Sequence, residues 1–371
     1  MRINLHEPSF GGEEIQAAVN VMNSTYVTQG KIVREFEEQF ADKVGFKHAV
    51  AVNSGSSANL LAVSSLKAIG ALRDGDEVLA PALTWPTTIW PLVQHNLVPV
   101  FVDCDPHTLN MKDIVPSTDT RGVVAVPVYG NPLEVTKRKV TMYDCCEALG
   151  TPKPDCDVAT YSFYFSHHIT TFEGGMVCTD NEPLADMLRI QRSHGWVRDV
   201  YHPDKWADAH PEIDPRFLFV DLGYNLRMTD IAAAVGLIQL TKLDGFVERR
   251  RRNHELYVKG LENTGLTLQT MNLGAAPFSL AITVDDQLPF TQHDLRLALL
   301  EAEIETRPII AGNMLRQPAM QKYKHRLVGS DVNATRVMKH GFSIANHQAM
   351  TDEHVAYVVG VILEFLDRFS E

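Results

Sequence analysis

No stretch of the 371-residue sequence is apolar for long enough to cross a bilayer. The opening residues, Met1 to Pro8, carry no apolar signal core, so no signal peptide is expected. Basic residues are in deficit. There are 34 Lys and Arg against 46 Asp and Glu, a formal net charge of −12. The one basic run, Arg249 to Arg252, follows Glu248 among helix-forming residues, which marks a solvated helix face rather than a nucleic-acid patch. Cysteine is scarce: Cys104, Cys145, Cys146, Cys156 and Cys178 are odd in number and lack paired zinc-ligand spacing. They read as reduced, buried thiols of a cytoplasmic protein, and no metal site is expected. Repeats and low-complexity linkers are also missing. What is present, 45% hydrophobic and 22% charged residues, is ordinary for a globular protein with a large core and one to two domains.

The first part alternates apolar runs with helical stretches. Strands are expected at Ala49–Asn53, Glu77–Pro81, Val98–Asp103, Gly122–Pro127, Val140–Asp144, Val158–Phe165 and Gly175–Thr179, and helices at Ser57–Lys67 and Thr87–His95. This alternation predicts an α/β domain with a mostly parallel central sheet. Asn131 to Lys139 is short for a full crossover helix. A long helix should start after Thr229 as its cap and lead into a polar helix over Glu248–Leu261. A smaller α+β region follows: a strand over Phe278–Thr283, a helix over Thr291–Glu303, a turn at Arg307-Pro308 and a closing helix over Asp352–Phe369. The expected division is a large α/β domain over residues 1–245 and a small C-terminal α+β domain over 246–371.

Several polar groups fall at strand ends. Asn53-Ser-Gly-Ser-Ser-Ala-Asn59 opens a helix, and such a start is an anion site through its free N–H groups and dipole. Asp144 ends a strand in Tyr-Asp-Cys-Cys-Glu147, where a carboxylate can hold a pyridine nitrogen protonated. Trp85 follows another strand and offers an aromatic plane; core packing is the bland alternative. In an open α/β sheet these C-terminal strand ends line one crevice. The stretch Ser162-Phe-Tyr-Phe-Ser-His167-His168-Ile-Thr-Thr-Phe-Glu173-Gly-Gly175 then reads like a cofactor-lysine motif whose lysine is replaced by His167. An imidazole moves protons but cannot form the lysine's covalent link to an aldehyde.

In that order, from about Tyr26 to the C-terminus, these motifs resemble the DegT/DnrJ/EryC1/StrS family of fold-type-I pyridoxal-phosphate enzymes, which have an aspartate aminotransferase-like fold. The resemblance is to its lysine-lacking branch of sugar-nucleotide 3-dehydratases. Gly223-Tyr-Asn225-Leu-Arg227, Arg192-Ser-His-Gly-Trp196, Arg307-Pro308 and Asn346-His347-Gln348 are further shared-looking pieces. The resemblance implies that Ser56, Ser57 and Ser162 bind the cofactor phosphate, Trp85 stacks on the ring and Asp144 pairs with the pyridine nitrogen. Glu147 stands where the family has a glutamine near the ring hydroxyl. Asn225 would reach the neighbouring subunit's cofactor in a homodimer with shared active sites. His167 would be catalytic, with His168 the weaker candidate, and Arg307 and His347 would meet substrate.

The implied activity is removal of the C3 hydroxyl from a 4-keto-6-deoxyhexose nucleotide, with GDP-4-keto-6-deoxymannose the foremost substrate. Pyridoxal or pyridoxamine phosphate would be held without a covalent bond, and L-glutamate would be the amino donor. Three segments, Met111–Arg121, Asn131–Tyr143 and Thr151–Ala159, look shortened against the family and leave the sugar open. An ordinary sugar aminotransferase, an iron–sulfur-dependent dehydratase with a reductase partner, and an inactive binding or regulatory protein are the competing readings. Against them stand the missing lysine, the absence of clustered cysteines, and the joint presence of Ser56, Ser57, Asp144, Ser162 and Asn225.

Overall fold

The computed structural model describes residues 1–113 and 120–369. Residues 114–119, within one of the shortened-looking segments, lie outside the described residues. The first elements in chain order are α1 (Gly12–Asn23), α2 (Lys31–Val44), β1 (His48–Val52), α3 (Gly55–Ala68), β2 (Glu77–Pro81), α4 (Pro86–Gln94), β3 (Val98–Val102), β4 (Gly122–Ala125), β5 (Val140–Asp144), β6 (Val158–Ser162) and β7 (Gly175–Thr179). After them come α5 (Glu182–Arg192), α6 (Pro203–Ala209), α7 (Asp230–Gly260), β8 (Thr267–Leu268), β9 (Leu280–Thr283) and α8 (Gln292–Glu301). The chain ends with β10 (Thr306–Arg307), β11 (Arg326–Val328), α9 (Val332–His340), β12 (Gly341–Ile344) and α10 (Asp352–Asp367).

Eight strands form one sheet in the order β1-β7-β6-β5-β4-β2-β3-β11. All pairings are parallel except those of β7, which runs antiparallel to both β1 and β6. β1 to β7 are buried on both faces, which is why they read as continuous apolar runs, while the edge strand β11 is largely exposed. One face carries Ala51, Val100, Val123 and Tyr143 against Phe36 and Phe40 of α2 and Leu240 and Leu243 of α7. The other carries Val50, Phe101, Val124 and Val177 against Leu61 of α3, Ile89 of α4 and Leu188 of α5. A buried ion pair ties the first layer to the sheet. Arg192 Nη1 lies 2.5 Å from Glu37 Oε1 and donates to Ala51 O at 2.9 Å, while the same Glu37 oxygen accepts from Ala51 N at 2.8 Å.

The second sheet is antiparallel, in the order β10-β12-β9-β8, and packs against α8 and α10 through Leu280, Ile282, Phe342, Leu295, Val358 and Phe365. Ile3 joins this core and bridges to Ile304, so the N-terminal residues belong spatially with the C-terminal ones. Thr229 caps α7 by accepting from Ala232 N. The two helices expected over this region are one, of 31 residues and about 46 Å. Its first half packs on the large sheet and Tyr257 near its end packs on the small one. The proposed division at residue 245 falls inside it.

Arg307, expected at a turn, is the last residue of β10 and pairs with Ser343. β11 adds an edge strand from the C-terminal third to the large sheet. No helix connects β4 to β5; Pro127, Gly130 and Pro132 occupy this stretch, which holds a single 3-10 turn over Val128–Gly130. Among the described residues no helix is long and apolar enough to cross a membrane.

Candidate active site

Seven of the strands in the large sheet end on one side of the molecule, and β7 begins there. The loops at this edge enclose a cavity of about 370 Å³. Ser54, Gly55 and Ser56 reach it from the end of β1, and Thr84, Trp85 and Thr88 from the end of β2. Val126 follows β4, Asp144 ends β5 with Cys146 and Glu147 after it, and Ser162 ends β6 with Tyr164, Ser166 and His167 after it. Glu173 lies just before β7, Arg307 comes from the small sheet and Ile310 from the segment that follows it. Among the described residues no lysine lines this cavity.

The N-terminus of α3 forms one wall. Ser54 caps it: its Oγ accepts from Ser57 N at 3.1 Å and donates to Ser57 Oγ at 2.9 Å. The first N–H groups of a helix have no intrahelical partner, so those of Gly55 and Ser56 suit an anion. Gly55 is needed for close approach. A Cβ there would stand 2.5 Å from Ser162 Cβ and 2.9 Å from Cys146 Sγ. The helix start and the Ser162 hydroxyl are thereby brought together in one cradle.

Asp144 is buried, and three donors orient it. Asn59 Nδ2 donates to Oδ2 at 2.8 Å, Thr88 Oγ1 donates to Oδ2 at 2.6 Å, and Cys146 N donates to Oδ1 at 3.2 Å. Behind them Thr160 Oγ1 donates to Asn59 Oδ1 at 2.6 Å, and Thr84 Oγ1 donates to Thr88 Oγ1 at 3.1 Å. All these side chains are buried. Such a network holds a carboxylate in one geometry. Trp85 is 55% exposed at the cavity, so its ring face is available for stacking.

His167 is half-buried. Its Nδ1 donates to Cys146 O at 2.7 Å. A carbonyl accepts only, so Nδ1 carries the proton and Nε2 keeps its lone pair. Burial pushes the imidazole pKa down to about 4; the Cys146 carbonyl opposes this, and the charges of Arg307 and Arg250 add to it. The ring packs edge-on against Phe278, with centroids 5.3 Å apart. His168 points elsewhere. It is fully buried, and its Nε2 donates to Ala276 O at 2.9 Å.

Glu147 and Arg307 share the remaining wall, with Nη2 3.6 Å from Oε1. Burial raises the Glu147 carboxyl to about 7; Arg307 opposes the rise and Asp144 adds to it. The Arg307 guanidinium lies over the rings of Tyr129 and Phe278, at 5.7 and 5.5 Å.

Of the residues singled out in the sequence, Ser56, Trp85, Asp144, Glu147, Ser162, His167 and Arg307 come together in this cavity. Ser57 does not line it; its N–H donates to Ser54 Oγ, and its hydroxyl accepts from Ser54 and keeps its own proton to donate. Asn225 is exposed and lies outside it. His347 is buried away from it, with Nε2 donating to Asn4 O at 3.2 Å. Asn59, Thr88, Tyr129 and Phe278 were not anticipated. Thr84 and Thr88 stand four apart at a helix start, but no local signal links either to Asp144. Among the described residues no group of three or more His, Cys, Asp or Glu side chains is placed to hold a metal ion.

The cavity's parts fit pyridoxal or pyridoxamine phosphate: a helix N-terminus with serine hydroxyls, an aromatic plate, an oriented carboxylate and an imidazole without a lysine. The profile of the DegT/DnrJ/EryC1/StrS aminotransferase family matches residues 8–363. The chain is 34% identical over 377 residues to the GDP-4-keto-6-deoxy-D-mannose 3-dehydratase of Yersinia pseudotuberculosis, across 94% of this chain and 95% of that one. It is 36% identical to the dTDP-4-dehydro-2,6-dideoxy-D-glucose 3-dehydratase of Saccharopolyspora spinosa, across 93% and 82%. A crystal structure of GDP-4-keto-6-deoxymannose-3-dehydratase with a trapped PLP-glutamate geminal diamine matches with a TM-score of 0.89 at 29% identity, across 97% of this chain and 100% of that one.

Proposed function

The chain belongs to the DegT/DnrJ/EryC1/StrS aminotransferase family, and within it we propose a pyridoxamine-phosphate-dependent sugar-nucleotide 3-dehydratase. It removes the C3 hydroxyl of a 4-keto-6-deoxyhexose nucleotide, with the GDP-mannose derivative as first candidate and L-glutamate as amino donor. The observation that carries this reading is a cavity that has His167 and Asp144 but no lysine. The dehydratase relatives and the glutamate adduct in the matched structure support it.

Ser56, Ser162 and the α3 N-terminus would hold the cofactor phosphate, Trp85 would cover the ring, and Glu147 would stand near the ring hydroxyl. When bound, the cofactor supplies an amine for the sugar ketone and an electron-accepting ring. The Asp144 carboxylate holds a proton on the pyridine nitrogen. His167 works through Nε2, since Nδ1 is committed to the Cys146 carbonyl. As a neutral imidazole, Nε2 takes up a proton. With a pKa near 4, the imidazolium it becomes is a strong enough acid to return that proton to the departing hydroxyl. Without a lysine, nothing in the cavity binds the cofactor covalently, and release of the product imine to water gives a 3-deoxy ketone and ammonia.

We read the active unit as a cytoplasmic homodimer. Asn225 is exposed and does not line its own cavity, and its motif supports a role at a second copy's cofactor. Exposed Phe217, Phe219 and Leu222, at 63%, 51% and 87%, lie on the same stretch. Clustered apolar exposure of this kind marks an interaction surface. Incubation with pyridoxal phosphate, glutamate and a panel of 4-keto-6-deoxy sugar nucleotides tests the reaction. Ammonia and a sugar lighter by one oxygen are expected. Accumulation of a stable amino sugar instead would establish the aminotransferase reading.

A further inference from the structure

The proposed reaction sends two unlike ligands to one cavity. The amino acid brings carboxylates; the sugar ring brings none to the reacting end. A fixed cation there would favour the first and be left unmatched by the second. Arg307 is such a cation, and its setting is specific. Two aromatic rings cover it, Tyr129 at 5.7 Å and Phe278 at 5.5 Å, both buried. Tyr129 has its backbone in the left-handed region, φ 53°, and its ring is anchored by the hydroxyl, which donates to Ser343 Oγ at 3.1 Å and accepts from Ile310 N at 3.1 Å. Among the described residues the carboxylate paired with Arg307 is that of Glu147, at 3.6 Å, beyond hydrogen-bond length. The pair is therefore close enough to neutralise charge and loose enough to part.

We propose that Arg307 binds a carboxylate of the amino donor, and that Glu147 is its built-in counter-charge, which releases the guanidinium and takes a proton from solvent when the donor enters. With the sugar in place, Glu147 ionises again and matches Arg307. This rests on the reading that amino acid and sugar use the same cavity.

The groups facing Glu147 set the sign of the pH dependence. Arg307 of β10 lowers its pKa, Asp144 of β5 raises it, and a hydrogen bond from the Tyr129 backbone lowers it. Cys146 adjoins it, and its thiol is itself pushed up, first by burial. His167 lines the same cavity. In the free protein burial leaves Glu147 at about 7. A donor carboxylate on Arg307 cancels the main opposing charge and adds a negative one, so the value rises in the complex. Below about pH 7 Glu147 is protonated in both states and donor affinity is flat. Above it the free protein is ionised and must take up a proton to bind. The dissociation constant then climbs by about tenfold per pH unit, until the value in the complex is passed.

Glutarate, a dicarboxylate with neither amine nor ketone, is the probe. Its binding to the pyridoxal-phosphate-loaded enzyme is followed by calorimetry in buffers of different ionisation enthalpy. Uptake approaching one proton per site is expected at about pH 8. Glu147→Gln should bind glutarate with no uptake and no pH slope, which separates Glu147 from His167 as the proton acceptor. Arg307→Met should bind glutarate at least about tenfold more weakly, and Arg307→Lys should recover part of the loss. Glutarate binding without proton uptake in the unaltered enzyme, uptake that survives in Glu147→Gln, or undiminished affinity in Arg307→Met would each overturn the proposal. Proton-linked glutarate binding in an enzyme that releases no ammonia from any sugar nucleotide would support this donor site while refuting the dehydratase reading.

Discussion

Replacing Gly55 by alanine should damage the cofactor site more than any loss of a polar group nearby, although it removes nothing. The added Cβ would lie 2.5 Å from Ser162 Cβ, 2.9 Å from Cys146 Sγ and 3.0 Å from Ser162 Oγ. Carbon atoms in contact sit about 3.5–4.0 Å apart, so the α3 start and the end of β6 must separate by roughly 1 Å. Neither yields easily. Ala58, Leu61 and Ala62 hold α3 in the core, and Ser162 is the buried last residue of β6. Overpacking of this kind costs about 1–3 kcal/mol, at roughly 1.3 °C of melting temperature per kcal/mol for a chain of this length. The same separation draws the Ser162 hydroxyl off a phosphate seated on the helix. Loss of one charge-assisted hydrogen bond costs about 1.5–3 kcal/mol, hence about 10- to 100-fold in cofactor affinity. Thermal melting of the cofactor-free protein and a pyridoxal-phosphate titration followed by equilibrium dialysis measure the two effects. Ser56→Ala is the control, since it loses a hydroxyl without a clash and should leave the melting temperature within about 1 °C. A Gly55→Ala protein that melts with the parent and binds cofactor equally well would show that α3 and Ser162 do not share one phosphate cradle.

His167→Asn should keep cofactor binding and lose about 10²- to 10⁴-fold in turnover, whereas His168→Asn should act on stability, because that ring is buried against Ala276. His167→Lys should trap pyridoxal phosphate as a borohydride-reducible adduct and dehydrate poorly; mass spectrometry reads the adduct, and its absence would count against the position assigned to residue 167. Mixing an Asn225→Ala chain with a His167→Ala chain should restore part of the activity if subunits exchange. A fully active monomer by light scattering would end the shared-site reading.

Much of the framework was legible because its signals are local. Glu77–Pro81, Val140–Asp144 and Gly175–Thr179 are strands with the expected limits, since each is a short apolar run with a clear stop. Thr229 caps α7 as its hydroxyl chemistry requires. The order Ser56, Trp85, Asp144, Ser162, His167 placed five groups at strand ends, and strand ends of such a sheet converge.

Strand direction was not legible. β7 runs against its neighbours, but a strand buried on both faces looks the same read either way. Nor was the fusion of two expected helices into α7, which depends on both sheets packing along one axis. The choice of His167 over His168 followed from its place in the motif, but the aim of each ring was tertiary: His167 is held by the Cys146 carbonyl and His168 by Ala276 O, partners from different elements. Ser57 reads as a phosphate ligand beside Ser56, and only the folded cap shows that its N–H goes to Ser54 Oγ. Arg307 meets Glu147, and Asn59 and Thr88 meet Asp144, only because strand order brings them to one edge. The residue types and their order by themselves determined that a lysine-free cofactor chemistry was available. Which atom moves the proton, and which charge faces which, depends on contacts between distant segments, and only the packed sheet supplies those.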